Sequence, residues 1–229
     1  MNLLAMSRTL GSPAARRVRH LQRHLAAASL FSFSGPPMKT YSERHSKVME
    51  TALSRAAKVS DSIINEEILL AAGCFWGVEL AFARIPGVLK TSVGYCGGRV
   101  ENPTYEQVCS GSSGHTEAVH LAFDNNIVHL NELLTVFWEI HDPTTLNRQG
   151  NDIGTQYRSG IYYNSDAQLD IITRSIAKEQ PRWNDPIVTE VKGEASNKYW
   201  VAEEYHQGYL ARGGQCALKG DKTPIRCYG

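Results

Sequence analysis

The chain has 229 residues, enough for one domain of ordinary size plus an extension, and enough to bury a core without disulfide staples. A net charge of +1 gives no electrostatic case for a nucleic-acid partner. Five cysteines, an odd number with no Cys-x-x-Cys pair, exclude the framework of a secreted disulfide fold and suit an imported or cytosolic protein with reactive thiols.

The charge is unevenly spread. Residues 1–60 hold ten Lys or Arg and two acids, whereas 61–229 hold fourteen and twenty-one. Before the first acid, Glu43, come Arg8, Arg16, Arg17, Arg19 and Arg23, interspersed with Ser7, Ser12, Ser29, Ser32 and Ser34. Arg-rich, Ser-containing and acid-free is the composition of an organelle transit peptide. Val18, Leu21, Leu25 and Ala28 fall at helical spacing, which leans toward a mitochondrion over a plastid. A disordered basic tail is the alternative, and a start at Met6 or Met38 would give a cytoplasmic product. The apolar run 25–33 is too short and too Ser-interrupted to span a membrane. Residues 1–60 thus read as transit peptide and disordered linker, and 61–229 as the folded domain.

The apolar run 68–72 predicts a buried strand, ended by Gly73. Val78, Phe82 and Ile85 mark a helix over 75–85, stopped by Pro86-Gly87. A second strand follows over 88–95, then a loop and short helix near 105–108. Alternation over 115–123 predicts a strand of period two. Residues 130–140 form an amphipathic helix with Asn131 as a candidate cap, 159–163 a fourth strand, and 165–180 a helix carrying Leu169, Ile172 and Ile176. An edge strand is expected over 187–191 and a helix over 197–211, before an irregular, Gly-rich tail over 213–229. The order strand, helix, strand, strand, helix, strand is that of an α+β fold, a ferredoxin-like split βαβ sandwich with a long irregular C-terminal tail.

Cys74 falls between a strand end and a helix start. A helix N-terminus offers unpaired N–H groups and partial positive charge, which favour thiolate over thiol. Phe75 and Trp76 beside it could wall an apolar pocket for a small alkyl group. From position alone, a buried Cys filling core space is an equal alternative.

The heptapeptide Gly73-Cys74-Phe75-Trp76-Gly77-Val78-Glu79 resembles the signature of the A-type peptide methionine sulfoxide reductases. Further blocks follow in that family's order. They are Gly94-Tyr95-Cys96-Gly97-Gly98 with Asn102-Pro103-Thr104-Tyr105; Val108-Cys109-Ser110-Gly111 with Gly114-His115-Thr116-Glu117-Ala118-Val119; His141-Asp142-Pro143-Thr144-Thr145-Leu146-Asn147-Arg148-Gln149-Gly150-Asn151-Asp152; and Gly154-Thr155-Gln156-Tyr157-Arg158-Ser159. Glu203-Glu204-Tyr205-His206-Gln207 also matches, so the resemblance runs from about residue 66 to the C-terminal end.

The resemblance implies roles. Cys74 is similar to the nucleophile that attacks the sulfoxide sulfur and leaves as a sulfenic acid. Phe75 and Trp76 match the pocket for the substrate methyl group, and Glu117 the acid that protonates the sulfoxide oxygen. Tyr105 and Tyr157 match phenols that hydrogen-bond this oxygen, and Asp152 a carboxylate that orders the pocket. On their own, Glu117 would read as a solvated strand residue and the tyrosines as ordinary half-buried ones. Cys216 and Cys227, in the Gly-rich tail, match the family's resolving thiols, with Cys216 first and Cys227 carrying the disulfide outward. Asp221 stands where the plant-type tail has another cysteine. Cys96 and Cys109 read as structural.

The expected activity is reduction of methionine S-sulfoxide, free or in proteins, by a thiol–disulfide oxidoreductase recharged by thioredoxin. The same thiol would also serve a peroxidase or a hydrolase, although no His base with an Asn or Asp partner stands out. An inactive sulfoxide-binding module is the non-enzyme alternative. No cofactor, metal, nucleic acid or membrane is expected as a partner. The eight histidines show no zinc spacing, and no phosphate-binding Gly motif occurs. A monomer is expected.

Overall fold

A computed structural model describes residues 41–58, 63–193 and 198–226. The basic segment 1–40 and Cys227 lie outside the described residues. Strand β1 (Asn65–Ala72) leads through helix α2 (Phe75–Ala83) to β2 (Val88–Cys96). A short helix α3 (Tyr105–Cys109) precedes β3 (Thr116–Asp124) and helix α4 (Leu130–Ile140). A two-residue hairpin pair, β4 (Arg148–Gln149) and β5 (Asp152–Ile153), then leads to β6 (Ser159–Tyr163), helix α5 (Asp166–Glu179) and β7 (Glu190–Gly193). Helix α1 (Glu43–Ala56) comes before all of these.

The main sheet has the order β7-β6-β1-β3-β2, closed at its far edge by β8 (Trp200–Val201). Strand β3 runs antiparallel to both β1 and β2, so these two are parallel and joined by the crossover helix α2. Strand β6 is antiparallel to β1. This is the split βαβ arrangement that the element order predicts. Side chains alternate across the strands. Ile68, Leu70, Val119 and Leu121 join Phe82, Leu134 and Phe137 in the core beneath the helices. Leu69, Ala71, Cys96, Ala118 and Tyr162 form a smaller cluster on the opposite face, against Tyr199.

Four expectations change. The span read as linker contains helix α1, capped by Ser42 Oγ, which accepts from His45 N–H. Val48, Met49 and Ala52 bury its apolar face, and Arg44 pairs with Glu139 and Glu179 on α4 and α5. The folded body therefore begins by residue 41, not near Glu66. Helix α4 is capped two residues earlier than Asn131: His129 is the N-cap, and Glu132 accepts from its N–H. The edge strand expected over 187–191 is present but shifted toward the C-terminus, as β7, and pairs parallel with β6. The helix expected over 197–211 is instead β8, a 3-10 turn (Glu204–His206) and one short helix, α6 (Tyr209–Arg212). Long-range bonds override helix there. The Gln207 side-chain amide accepts from Val93 N–H and donates to the Val93 carbonyl, as a neighbouring strand would. Among the described residues no helix is long and apolar enough to cross a membrane.

Candidate active site

Strand β1 delivers the chain to Gly73, whose φ of +93° turns it into α2. A Cβ at Gly73 would meet the Gln149 side chain at 2.7 Å, so glycine serves both the turn and the close approach of β4. Cys74 is the N-cap residue of α2. The next amide, Phe75 N–H, donates to Glu117 Oε2 at 2.9 Å. Glu117 projects from β3 and is only 2% exposed, so a carboxyl group is buried at the helix start beside the thiol.

An aromatic wall surrounds this point. Phe75 is buried, and its ring lies 6.4 Å from Trp76 and 6.0 Å from Tyr95. The Trp76 indole stacks on Tyr209 at 4.0 Å and donates from Nε1 to His206 Nδ1 at 3.1 Å. Indole N–H is a donor only, so His206 Nδ1 must accept, and a neutral ring then carries its proton on Nε2. Burial lowers the His206 pKa, which keeps the ring neutral. Tyr105 packs on His206 at 4.6 Å. Glu203 ties these pieces together: it accepts from Tyr95 OH at 2.7 Å and from Tyr105 N–H at 2.9 Å. Burial opposes its charge, but hydrogen bonds from its own amide, Tyr95 and Tyr105 hold its pKa below the ordinary value.

Tyr157 ends a 3-10 turn (Thr155–Tyr157) that Thr116 Oγ1 fixes to β3 by donating to the Gln156 carbonyl at 2.8 Å. Burial, then the nearby Glu117 charge, pushes the Tyr157 phenol up to about 12. Burial and a bond to Cys109 raise that of Tyr105 as well. Both phenols therefore stay protonated and able to donate at neutral pH. Asp152, on β5, is close enough to Tyr157 to add to its shift, and burial raises its own pKa.

The structure thus brings together Cys74, Phe75, Trp76, Glu117, Tyr105, Tyr157 and Asp152. It does not bring Cys216 to them. Cys216 sits in the tail beside Arg84, at the other end of α2, with its carbonyl accepting from Arg84 Nε at 2.7 Å. Three residues without an assigned role also belong to the site: Glu203, His206 and Tyr209. Glu203 and His206 fall in a block that matches the family, but the helix predicted there gave no reason to turn them toward Cys74. Cys109, read as structural, reaches the Tyr105 phenol. Among the described residues no group of three or more His, Cys, Asp or Glu could hold a metal ion.

A family model described as peptide methionine sulfoxide reductase matches residues 66–224. The chain is 56% identical over 163 residues to a peptide methionine sulfoxide reductase A4, chloroplastic, of Arabidopsis thaliana, covering 69% of this chain and 62% of that protein. It is 52% identical to a peptide methionine sulfoxide reductase MsrA of Clostridium botulinum, covering 68% of this chain and 99% of the relative. Among solved structures, Mxr1 of Saccharomyces cerevisiae in reduced form superposes with a TM-score of 0.62 at 35% identity, covering 69% of this chain and 93% of that one. Methionine sulfoxide reductase A of Corynebacterium diphtheriae gives 0.61 at 32% identity, covering 82% and 90%. With its signature blocks converging on one pocket and a family model matched across most of its length, the chain belongs to the peptide methionine sulfoxide reductase family.

Proposed function

We propose that the chain reduces methionine S-sulfoxide, free or in proteins, to methionine. The observation that carries this reading is the placement of Cys74 at the start of α2, one residue from an amide that binds the buried Glu117 carboxyl group. The Cys74 sulfur attacks the sulfoxide sulfur. The S–O bond breaks, the oxygen passes to Cys74 with a proton from Glu117, and the products are methionine and a Cys74 sulfenic acid. Tyr105 and Tyr157 donate to that oxygen as charge builds on it. Phe75 and Trp76 hold the methyl group by apolar contact, Trp76 being fixed by His206 and Tyr209. Asp152 orders the rim near Tyr157.

Turnover requires a second thiol. Cys216 condenses with the sulfenic acid, Cys227 carries the disulfide outward, and the dithiol of thioredoxin reduces it. The basic segment directs import into an organelle. Relatives from Arabidopsis thaliana and rice that are named chloroplastic favour a plastid over a mitochondrion. The test is Cys74→Ser in the full chain. Methionine release from methionine S-sulfoxide should vanish with circular dichroism unchanged, and appreciable residual release would sink the assignment.

A further inference from the structure

Arg84, just past the end of α2, is a cation with 0% exposure, and the chemistry at Cys74 has no use for it. Its donors all go to two segments. Nε donates to the Cys216 carbonyl at 2.7 Å, and Nη1 to the Thr223 carbonyl at 2.6 Å and the Tyr41 hydroxyl at 2.8 Å. Nη2 donates to Thr223 Oγ1 at 3.2 Å and lies 3.4 Å from Asp221 Oδ1. The last carbonyls of the helix are occupied by the same loop: that of Arg84 accepts from Gly220 N–H at 2.8 Å, and that of Ala83 from Lys219 Nζ. Gln215 closes the loop on itself by pairing with the Arg226 backbone in both directions. Asp221 bonds the Cys216 thiol, and burial together with this carboxylate raises the thiol pKa.

Helix α2 separates this dock from the nucleophile. Ten residues at about 1.5 Å each put Arg84 roughly 15 Å from Cys74. A disulfide needs Cα atoms within about 7 Å. The docked loop therefore cannot close the bond. Its root can: Tyr209 of α6 stacks on Trp76, and Gly214 after it has φ +91° with open space around it. Six residues from Leu210 to Cys216 span up to about 20 Å when extended.

We propose that Arg84, braced by Tyr41, is a positioning residue for the resolving step, parking Cys216 at the far end of the helix that begins at Cys74 until the loop lets go. This rests on the reading of Cys216 as the resolving thiol. After release, the Cys216 sulfur attacks the sulfenic sulfur of Cys74. The S–O bond breaks, the oxygen leaves as water with the Cys216 proton, and an S–S bond forms. The first methionine is released while the loop is docked, and Arg84 sets only how fast the disulfide follows.

Arg84→Ala strands buried partners and risks misfolding, so Tyr41→Phe is the working variant, with Thr223→Val as a second. Each removes one hydrogen bond from the guanidinium and touches neither Cys74 nor its pocket. In a single turnover without reductant, methionine release should keep its wild-type rate. Formation of the Cys74–Cys216 disulfide, followed by quenched-flow mass spectrometry, should speed up about three- to ten-fold, the effect of one buried hydrogen bond. Hydrogen exchange over 215–226 should rise in parallel. A merely structural defect would slow both steps. Faster exchange with an unchanged disulfide rate, or no change in either, would overturn the proposal. Normal methionine release with no Cys74–Cys216 disulfide in the wild type would instead overturn the reading of Cys216.

Discussion

Helix α2 begins at a thiol and ends at a buried guanidinium, and the two ends treat their leftover backbone groups differently. At the first end, the Phe75 amide goes to Glu117, a side chain from strand β3, and the positive end of the helix dipole faces Cys74. The aromatic and acidic groups around it come from β3, α3, the 3-10 turns and α6, each set by its own long-range bond. At the other end, the carbonyls of Ala83 and Arg84 are taken by one continuous loop, and two cations, Arg84 and Lys219, sit at the negative end of the dipole. Many elements converge where a substrate must come and go. A single detachable segment is stored where nothing else has to enter.

Each end can be broken separately. Glu117→Gln keeps an acceptor for the Phe75 amide but removes the proton, and single-turnover methionine formation should fall by about 10²–10⁴-fold. A rate within a factor of two of wild type would rule out general acid catalysis by Glu117. Deleting residues 1–60 removes α1, the buried faces of Val48, Met49 and Ala52, and the Tyr41 post of the dock. Unfolding free energy should drop on the order of 5 kcal/mol, read by denaturant titration against a chain lacking only 1–40. Equal stability of the two truncations would show that α1 is dispensable.

The smallest effect is in pH. His45 on α1 is buried beside Tyr41, and its Nε2 has no hydrogen-bond partner among the described residues. Burial, then the Arg84 charge, lowers its pKa to about 4. An unfolded histidine takes a proton below about 6.5, and the folded one not until about 4, so the unfolded state binds more protons in between. Stability should therefore fall as pH drops from about 6.5 to about 4, by up to roughly 3 kcal/mol. His45→Phe should flatten that stretch of the profile, and an unchanged slope would show that other groups titrate there.

Much of the fold is written in local periodicity. Alternation over β3, the apolar run of β1 and the stripe of α4 are strong because each packs one face on the core. Helix α1 carried its signals too, a Ser42 cap and Val48, Met49 and Ala52 at helical spacing, but basic composition and nearby Pro36-Pro37 outweighed them. The helix expected over 197–211 gives way because the shape of its described residues depends on distant partners, with Gln207 pairing to Val93 and Glu203 to Tyr95 and Tyr105. The same dependence hid His206 and Tyr209. The closeness of Cys74 and Glu117 was legible through motif blocks, and the Tyr209–Trp76 stack only through space. The parking of Cys216 was illegible, because Arg84 looks like any surface cation until the tail covers it.

In the proposed reaction Cys74 itself takes the sulfoxide oxygen. A chain with Cys216→Ser and Cys227→Ser should be mixed with methionine S-sulfoxide in the absence of reductant, and its peptides mapped by mass spectrometry after methionine is counted. About one methionine per chain is expected, with one added oxygen, trapped as sulfenic acid, on Cys74. Methionine release with Cys74 unmodified, or the oxygen found on Cys109, would contradict it.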